Sequence, residues 1–471
     1  MINRTVEQIA SMCGAKWNKR DAAVQIEGVG TDSRRVKARQ LFIPLVGDQF
    51  DGHHYVQQAL QDGAAAALWE TGREVPEELA EAPLLFVKNT LTALQRLASS
   101  YRDELYVRVI GITGSNGKTT TKDMVAAVLG TTLNVHKTEG NLNNHIGLPL
   151  TVLQLAEDTD AAVLEMGMSG FGEIELLTNI AKPDIAVITN IGDAHLLQLG
   201  SREGIAKAKL EIAQGLHSGG LLLYNGDEPL IDAELKNRSL PEGLELQTFG
   251  LEDGNDWIAA NITIGAVSSA FHVRRKGGIE HSVAYHIPVP GQHNVSNALA
   301  AIAIGRRLGI SEEQISQGLL GLELTGMRIQ PVQAYNGAMI LNDAYNANPT
   351  AVRAAVDLVE QLTGFRRKWI VLGDMLELGP EEAALHYEVG AYITPNKADA
   401  VITLGKLSEN TSEGAKSQFP NWAEEQCVIH FEDKEELAVW LKEQLEPGDL
   451  VLVKGSRGMR MEQIVQTLEA R

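Results

Sequence analysis

Residues 111–120, GITGSNGKTT, have the composition of a loop that binds phosphate. Glycines at positions 114 and 117 would let the backbone wrap a phosphate without obstruction by Cβ atoms, and the N–H groups at a helix start would face that phosphate. Lys118 would reach the β- and γ-phosphates, and the Thr119 hydroxyl would ligate magnesium. We therefore predict a nucleoside triphosphate site formed by Gly114, Ser115, Asn116, Gly117, Lys118, Thr119 and Thr120.

The chain on either side of this loop predicts the strand and the helix that a P-loop needs. Residues 106–110 have the β-branched residues of a strand, and apolar residues recur at helical spacing up to Leu129. One position departs from the usual pattern, because Ile112 stands where a glycine is expected and Gly111 lies one place early. A glycine-rich turn with a merely exposed lysine is the alternative, and the strand–loop–helix context disfavours it.

Two further polar side chains follow apolar runs that are typical of strands. Glu165 lies near the end of the run at 161–166, where an acidic magnesium ligand is expected, and His195 follows the run at 185–191. A lone histidine is more often structural than a ligand, but the carboxyl ends of parallel strands share one edge of a sheet. This topology would bring the P-loop, Glu165 and His195 to the same edge.

Two other polar clusters each allow two interpretations. Thr31, Ser33 and Arg34 suit an anion or a polar heterocycle, and equally a helix cap with a solvated charge. Asn143 and Asn144 stand in an asparagine-rich loop. Such loops are usually turns, although neutral amides also help to hold phosphate oxygens and metal-bound waters.

Asp343 ends a strand-like run, and Tyr345, Asn346 and Asn348 follow it closely. This group suits the binding of a ribose or a sugar. Taken together, the residues indicate an ATP- and magnesium-dependent enzyme of at least two α/β units, and they do not identify its substrate.

Length and composition narrow the class of protein. A chain of 471 residues is too long for one hydrophobic core, so three domains are expected. A hydrophobic content of 44% with 22% charged residues is typical of globular proteins. No apolar run approaches the roughly 20 residues of a membrane helix, and the first residues lack the apolar region of a secretion signal.

Charge and cysteine content bear on partners and compartment. The net charge of −20 argues against a nucleic-acid partner, because phosphate contacts need a basic face. An anionic ligand must then be met by a local cluster of cations and by magnesium. Cys13 and Cys427 are the only cysteines, which fits a reducing cytoplasm without disulfides or a structural zinc site.

The pattern of apolar runs predicts an α/β protein with three domains, at residues 1–105, 106–325 and 326–471. Apolar runs in the second domain are continuous, as in parallel strands covered by helices on both faces. They lie at 161–166, 185–189 and 221–225. Between residues 256 and 290 the pattern changes to alternation, which predicts a small antiparallel addition to this P-loop domain.

The third domain is predicted to be doubly wound and Rossmann-like, without a P-loop of its own. Its strand-like runs lie at 339–343, 368–372, 400–404 and 449–453. Loops at the carboxyl ends of such strands are where ligands bind, so residues 455–458 are expected near a ligand.

The combined motifs resemble the Mur ligase family of bacterial cell-wall synthesis over the length of the chain. The first domain contributes TDSR and GDQFDGHHY, and the second contributes TGSNGKTT, NLNNHIGLP, LEMGM, TNIGDAHL, AKAKLEI and GQHNVSNALAA. GMR, LNDAYNANPT, LGDMLELG and VKGSRGMRME follow. The P-loop with Thr113 and Gly114 is the family's own variant, which accounts for Ile112.

The resemblance implies a role for each matching residue. Thr119 and Glu165 would ligate one magnesium ion, His195 would help to bind a second, and Lys209 would carry a carbamate that makes it an anionic metal ligand. The ATP contacts would include Asn294, Asn297, Arg328 near the γ-phosphate and Asp343 on the ribose. The substrate contacts would include Thr31, Ser33, Arg34, Gly47 and His53 on the uridine diphosphate, with Asn143, Asn144, Tyr345, Asn346 and Asn348. The loops at 374–377 and 454–457 would line the peptide side.

The resemblance also implies a reaction. LGDMLELG and NDAYNANPT favour the branch of the family that joins D-alanyl-D-alanine to UDP-N-acetylmuramoyl-tripeptide. ATP would phosphorylate the tripeptide carboxylate, the amine of the dipeptide would displace phosphate, and Lys118, His195, Lys209 and Arg328 would assist. The protein is expected to be a cytoplasmic monomer, and closure of the last domain onto ATP is expected.

Three other functions stay open at this point. One is a carboxylate–amine ligase of the folylpolyglutamate synthase type, which would lack a dedicated uridine site. Another is a P-loop switch or motor that turns over ATP without an amine acceptor. The last is a non-catalytic scaffold that binds nucleotide.

Overall fold

Four β-sheets organise the chain over residues 1–277 and 283–469, the part that the computed structural model describes. The first unit has a two-stranded antiparallel sheet, β1 with β2, and a parallel four-stranded sheet, β3 to β6 in chain order. Its elements are β1 (Asn3–Thr5), α1 (Val6–Cys13), β2 (Gln25–Glu27), β3 (Val29–Gly30), β4 (Leu41–Phe42), α2 (Val56–Gln61), β5 (Ala66–Glu70), β6 (Leu84–Val87) and α3 (Thr90–Glu104).

The second unit is built on a nine-stranded sheet in the order β15-β14-β13-β12-β11-β10-β7-β9-β8. Its strands are β7 (Arg108–Thr113), β8 (Val135–Lys137), β9 (Ala161–Glu165), β10 (Ile185–Ile188), β11 (Leu221–Asn225), β12 (Glu245–Gly250), β13 (Trp257–Ile264), β14 (Ser269–Arg275) and β15 (Val283–Ile287). Its helices are α4 (Lys118–Leu129), α5 (Gly147–Leu153), α6 (Glu173–Ala181), α7 (Leu196–Leu199), α8 (Arg202–Lys209), α9 (Pro229–Leu235), α10 (Gln292–Arg307) and α11 (Glu312–Leu320).

Across this sheet, neighbouring strands from the β8 edge through β9, β7, β10, β11 and β12 to β13 pair in parallel. β14 pairs antiparallel with both β13 and β15. The predicted antiparallel addition is therefore confirmed. It continues the main sheet through the parallel pairing of β12 with β13 and does not form a separate sheet. Buried apolar residues cover both faces of this sheet, which explains the continuous apolar runs of the central strands.

The third unit has a six-stranded sheet in the order β16-β17-β21-β18-β19-β20, in which only the β16 edge pairs antiparallel. Its strands are β16 (Gln330–Gln333), β17 (Met339–Asp343), β18 (Lys368–Gly373), β19 (Ala400–Leu404), β20 (Val428–Phe431) and β21 (Leu450–Lys454). Its helices are α12 (Pro349–Gln361), α13 (Glu382–Tyr392), α14 (Ser408–Lys416), α15 (Trp422–Glu425), α16 (Lys434–Gln444) and α17 (Glu462–Leu468).

The α/β class with a parallel P-loop sheet and a Rossmann-like third unit is thus confirmed. The predicted boundaries at 105/106 and 325/326 fall between α3 and β7 and between α11 and β16, and they stay a prediction. One apolar core spans the first and second units, whereas the third unit has a core of its own. In the described part of the chain, no helix has both the length and the apolar character needed to cross a membrane.

Candidate active site

A cavity of about 440 Å³ opens at the carboxyl ends of β7 and β9, between the second and third units. The loops after these strands and after β10 meet there because parallel strands present their carboxyl ends at one edge. Nearly all the predicted ATP, metal and third-unit residues line this cavity. They are Ser115, Asn116, Gly117, Lys118, Thr119, Thr120, Asn143, Asn144, Glu165, His195, Lys209, Asn294, Asn297, Arg328, Asp343, Tyr345, Asn346 and Asn348.

The turn between β7 and α4 has a backbone that only glycine fits at two positions. Gly114 has a φ of 151°, and a Cβ atom there would lie 1.8 Å from Oγ1 of Thr189. Gly117 has a φ of 78° directly before α4, and a Cβ atom there would lie 2.6 Å from Oδ1 of Asn297. The two glycines therefore let neighbouring polar side chains approach the phosphate-binding turn closely.

Thr189 and Asn190, at the end of β10, brace this turn. The backbone N–H of Ser115 donates to the Asn190 carbonyl over 3.1 Å, and the N–H of Asn116 donates to Oδ1 of Asn190 over 2.8 Å. Oγ1 of Thr189 donates to the Asn116 carbonyl over 2.5 Å. Sequence reasoning did not single out these two residues, and their position in the TNIGDAHL segment was the available signal.

Glu165 is a buried carboxylate that accepts hydrogen bonds on both oxygens inside the cavity. Oγ1 of Thr119 donates to Oε2 and Nδ2 of Asn143 donates to Oε1, each over 2.8 Å. Nη2 of Arg328 donates to the same Thr119 hydroxyl over 2.8 Å. A carboxylate beside a hydroxyl is an oxygen donor set that suits magnesium.

The described residues contain no cluster of three or more His, Cys, Asp or Glu side chains that could hold a metal. The predicted ligand set includes a threonine and a lysine, so only Glu165 and His195 belong to those four residue types. Magnesium ligation at this site therefore stays a prediction.

Lys118 and Arg328 bring positive charge into the cavity, Lys209 adds a buried amine, and among the described residues none of the three forms an ion pair. Nζ of Lys118 donates to the Gly114 carbonyl over 2.7 Å. The guanidinium of Arg328 lies 4.1 Å from the ring centre of Tyr345, and its Nε has no hydrogen-bond partner within residues 1–277 and 283–469. Burial lowers the pKa of Lys118 and lowers that of Lys209 much further, with Lys118 as the second cause at Lys209.

His195 lies directly before α7 and has a left-handed backbone with a φ of 61°. Its ring faces the third unit. Its Nδ1 lies 2.8 Å from Oε2 of Glu377 in the loop after β18. Burial lowers the pKa of His195, and the Glu377 carboxylate opposes this effect. The predicted peptide-side loop at 374–377 thus reaches the cavity edge through Glu377.

The third unit closes the cavity with polar residues at the ends of β17 and β21 and in the loop after β17. Asp343 accepts from Nζ of Lys454 over 2.5 Å, and the same ammonium donates to the Asn346 carbonyl over 2.9 Å. Asn348 caps α12, and its amide exchanges hydrogen bonds with the amide of Asn116 over 2.8 and 3.3 Å. A predicted substrate residue and a predicted ATP residue therefore bind each other across the domain junction.

Three cavity asparagines also have structural partners. Nδ2 of Asn294 donates to the Pro290 carbonyl over 2.7 Å, and Asn297 donates to Oδ1 of Asn294 over 3.4 Å. Oδ1 of Asn144 accepts from the backbone N–H of Gly147 over 2.9 Å at the start of α5. These contacts fix the side chains at the start of α10 and α5, beside the P-loop.

The five predicted first-unit residues, Thr31, Ser33, Arg34, Gly47 and His53, lie outside this cavity. Arg34 is exposed and pairs with Asp32 over 2.9 Å. His53 is buried, its Nδ1 lies 2.7 Å from Oδ1 of Asp51, and its Nε2 accepts from the backbone N–H of Glu70 over 3.3 Å. Both ring nitrogens of His53 are thus engaged within the first unit, and its predicted contact with uridine diphosphate stays untested.

Three family models match the chain along its length. They are described as Mur ligase family, catalytic domain (residues 25–102), Mur ligase middle domain (112–305) and Mur ligase, glutamate ligase domain (327–457). A relative from Bacillus subtilis (strain 168), UDP-N-acetylmuramoyl-tripeptide--D-alanyl-D-alanine ligase, is 50% identical over 99% of both chains.

Solved structures agree with this similarity. MurF from Acinetobacter baumannii superposes with a TM-score of 0.88 at 30% identity, covering 99% of this chain and 98% of that one. MurF ligase from Thermotoga maritima in complex with ADP gives a TM-score of 0.80 at 28% identity, covering 94% and 96%. The chain therefore belongs to the Mur ligase family, and within it to the group of MurF ligases.

Proposed function

We propose that this protein is an ATP- and magnesium-dependent ligase that joins D-alanyl-D-alanine to UDP-N-acetylmuramoyl-tripeptide in cytoplasmic peptidoglycan precursor synthesis, and that it acts as a monomer. The name of the Bacillus subtilis relative supports the two substrates, and the ADP complex of the Thermotoga maritima structure supports the nucleotide. The observation that carries the proposal is the meeting of Lys118, Lys209 and Arg328, none with an acidic partner among the described residues, beside the Glu165 carboxylate.

The reaction needs an activated carboxylate, because oxide is a poor leaving group from a carboxylate at neutral pH. A carboxylate oxygen of the tripeptide attacks the γ-phosphorus of ATP, ADP leaves, and an acyl phosphate forms. The amine of the dipeptide then attacks the acyl carbon, the bond to the phosphate-bearing oxygen breaks, and the nitrogen loses a proton. The products are the amide, ADP and phosphate.

The cations in the cavity suit the first step. The carboxylate and the γ-phosphate are both anionic, so their approach requires positive charge that is already in place. Lys118 at the start of α4 would hold the β- and γ-phosphates. Arg328, whose Nε lacks a hydrogen-bond partner in the part of the chain that the structure describes, would contact the γ-phosphate from the third-unit side.

Thr119 and Glu165 would hold one magnesium ion, and His195 and Lys209 would help to hold a second. Magnesium supplies charge neutralisation and orientation of the phosphates. The Thr119–Glu165 pair fits this role because both contribute oxygen atoms, 2.8 Å apart, at the start of the P-loop helix. Glu377 would orient the His195 ring from the third unit.

We propose further that Lys209 carries a carbamate. It is 2% exposed and has no hydrogen-bond or ion-pair partner among the described residues. Because burial and Lys118 lower its pKa well below the ordinary value, the neutral amine that adds to carbon dioxide is accessible. The carbamate is anionic, so it would remove the repulsion between Lys209 and a divalent cation.

The remaining contacts follow the motifs. Asn294, Asn297 and Asp343 would hold the nucleoside of ATP, and the TDSR segment with residues 47–53 would hold the uridine diphosphate. The loops at 374–377 and 454–457 would line the site of the dipeptide. The Asp343–Lys454 pair, which joins β17 to β21, supports a fixed carboxylate at the ribose position.

The test is ADP release by the purified protein with UDP-N-acetylmuramoyl-tripeptide, with and without D-alanyl-D-alanine. We expect release to depend on both substrates, and Lys118→Ala to abolish it. D-Alanine and L-alanyl-L-alanine serve as control acceptors. Release that D-alanyl-D-alanine does not stimulate would overturn the proposed substrate, and release stimulated by a folate with glutamate would indicate the alternative ligase.

A further inference from the structure

The P-loop helix α4 carries a buried acid, Asp123, away from the phosphate-binding turn. The side chain of Asp123 is fully buried, and Nζ of Lys137 donates to its Oδ1 over 2.8 Å. Its Oδ2 accepts two hydrogen bonds from Thr325, one from the backbone N–H over 2.9 Å and one from Oγ1 over 2.8 Å. Thr325 lies far along the chain, in the segment between α11 and β16 that connects the second and third units.

This connecting segment also contains Arg328. The residues on either side of Arg328 are not glycine and yet have left-handed backbones, with φ of 62° at Met327 and 49° at Ile329. Such conformations persist only where the surroundings hold them in place. The segment therefore has a defined, strained backbone conformation that places Arg328 in the cavity.

Contacts hold the segment on both sides of Arg328. Upstream, Thr325 is fastened to α4 through Asp123. The residues directly beside Arg328 are held by the third unit: the Met327 carbonyl accepts from the N–H of Tyr345 over 3.3 Å, and the backbone N–H of Ile329 donates to Asp343 over 3.3 Å. Thr325 is thus held by the second unit and Met327 and Ile329 by the third, so Arg328 lies at the junction of the two.

The geometry of α4 links Asp123 directly to the position that Arg328 contacts. Thr119 and Asp123 are four residues apart and hence lie on one face of the helix. Arg328 donates to Thr119 over 2.8 Å, while Thr325 binds Asp123 on that face. The segment thus contacts the helix at two successive turns.

We propose that Asp123 is a positioning residue for Arg328, which acts by fixing Thr325 to the P-loop helix so that the guanidinium meets the γ-phosphate of ATP. The inference rests on the proposed function only for the identity of the reaction. A purely structural Asp123 is the competing explanation, since Lys122, 3.4 Å away, and Lys137 also surround the carboxylate.

The test is a double-mutant cycle between Thr325→Val and Arg328→Ala. Thr325→Val removes the hydroxyl donor with little change in shape, and Thr325→Ser keeps the hydroxyl as the matched control. We expect Thr325→Val to lower kcat for acceptor-dependent ADP release about tenfold, the effect of losing a hydrogen bond to a charged group. Thr325→Ser should stay within about twofold, and Thr325→Val should have no further effect once Arg328 is alanine.

Three results would overturn the proposal. One is a loss that multiplies with that of Arg328→Ala, because the two residues would then act independently. Another is wild-type kcat in Thr325→Val. The third concerns Lys137→Gln, which removes a lysine partner of Asp123 and should lower the melting temperature while leaving the effect of Arg328→Ala unchanged. A coupling between Lys137 and Arg328 as large as that between Thr325 and Arg328 would contradict the proposal.

The coupling between Thr325 and Arg328 can also be measured without the ligase reaction. Affinity for a non-hydrolysable ATP analogue, measured by calorimetry, should show the same non-additivity between Thr325→Val and Arg328→Ala. If wild-type protein lacked D-alanyl-D-alanine-dependent ADP release, the proposed function would fail while this binding cycle still decided the role of Asp123. Additive losses of analogue affinity would overturn the positioning role by themselves.

Discussion

At the scale of single residues, the cavity concentrates positive charge in a chain whose net charge is −20. Lys118 and Arg328 lie there without an acidic partner among the residues that the structure describes. A buried charge without a partner costs free energy, and here an anionic ligand would offset that cost. A polyphosphate with divalent cations is a ligand of that kind.

Replacement of Lys209 tests whether that residue is required for the ligase reaction. We expect Lys209→Ala to lower acceptor-dependent ADP release by roughly 10- to 100-fold or more, the range seen when a group that supports a metal site is lost. The melting temperature should change little, because the lost packing is offset by removal of a buried amine without a partner. His195→Ala should behave in the same way.

The matched control is Lys207→Ala, an exposed lysine on the same helix. It should keep wild-type turnover. Wild-type turnover in both Lys209→Ala and His195→Ala, with magnesium dependence intact, would remove these two residues from the site.

Part of the site was predictable from single residues and part was not. Because the carboxyl ends of parallel strands share one edge of a sheet, the sequence was enough to predict that Glu165 and His195 lie near the P-loop. The structure places both residues in one cavity with the P-loop. Their roles stay predictions. Thr189 and Asn190 were not predicted, although they lie in the TNIGDAHL segment, because they bind backbone atoms of the loop and no spacing rule encodes such contacts. The pairing of Glu377 with His195 depends on how two domains pack, which a motif does not specify.

At the scale of elements, the turn between β7 and α4 depends on Gly114. In Gly114→Ala the new Cβ would meet Oγ1 of Thr189 at 1.8 Å, on a backbone with φ 151°. Strain of this kind is on the order of 1–3 kcal/mol. We therefore expect affinity for an ATP analogue, measured by calorimetry, to fall about tenfold or more.

Gly140→Ala is the control for backbone strain without a clash. Gly140 has a φ of 55°, and no atom lies within 4 Å of its ideal Cβ position. It should lower stability slightly and keep nucleotide affinity. Equal nucleotide affinity in the Gly114 and Gly140 variants would show that the close approach at Thr189 is unimportant.

The N-terminus of α12 contacts the P-loop side of the cavity and holds the third unit against the second. Oγ1 of Thr350 donates to Asp193 over 2.8 Å beside the Asn116–Asn348 amide pair. A hydrogen bond to a charged group contributes about 1.5–3 kcal/mol. We expect Thr350→Val to favour a more open arrangement, seen as a larger radius of gyration in solution scattering and a higher KM for ATP.

Thr467→Val is the matched control, because among the described residues the one hydrogen bond of Thr467 Oγ1 lies within its own helix, to the Gln463 carbonyl over 2.9 Å. It should leave both quantities at their wild-type values. The same radius of gyration for the Thr350 variant and wild type would argue against a role for this contact in closure.

The elements differ in how well the sequence predicts them, for a physical reason. Strands buried on both faces, such as β9, β10 and β11 in the second unit and β17, β18 and β19 in the third, have continuous apolar runs and were predicted within a few residues. β8, β12, β16 and β20 were not predicted. They are short or lie largely half-exposed, and β8, β16 and β20 are sheet edges, so none of them has the long apolar run of a central strand.

At the scale of the whole molecule, the first and second units share a core and the third has its own. Leu97 on α3 is fully buried in the shared core, and Leu437 on α16 is fully buried in the third. We expect Leu97→Ala to destabilise the first and second units together by about 2–5 kcal/mol and to leave the third unaffected. Calorimetric unfolding should resolve this, with Leu437→Ala as the matched control that destabilises the third unit alone.

Separate unfolding of the first and second units in the Leu97 variant would contradict a shared core. Coupling of these two units matters for function because the proposed uridine diphosphate site lies in the first and the P-loop in the second. A rigid pair of units would keep the tripeptide carboxylate at a fixed distance from the γ-phosphate of ATP while the third unit moves.

Activation of the tripeptide carboxylate by the γ-phosphate of ATP can be followed through the carboxylate oxygen. UDP-N-acetylmuramoyl-tripeptide labelled with ¹⁸O in its terminal carboxylate is incubated with ATP and D-alanyl-D-alanine, and the released phosphate is analysed by mass spectrometry. We predict one ¹⁸O atom in each phosphate and one phosphate for each amide formed, because the oxygen that attacks phosphorus leaves with it. Phosphate without ¹⁸O, or phosphate released without amide, would rule out an acyl phosphate.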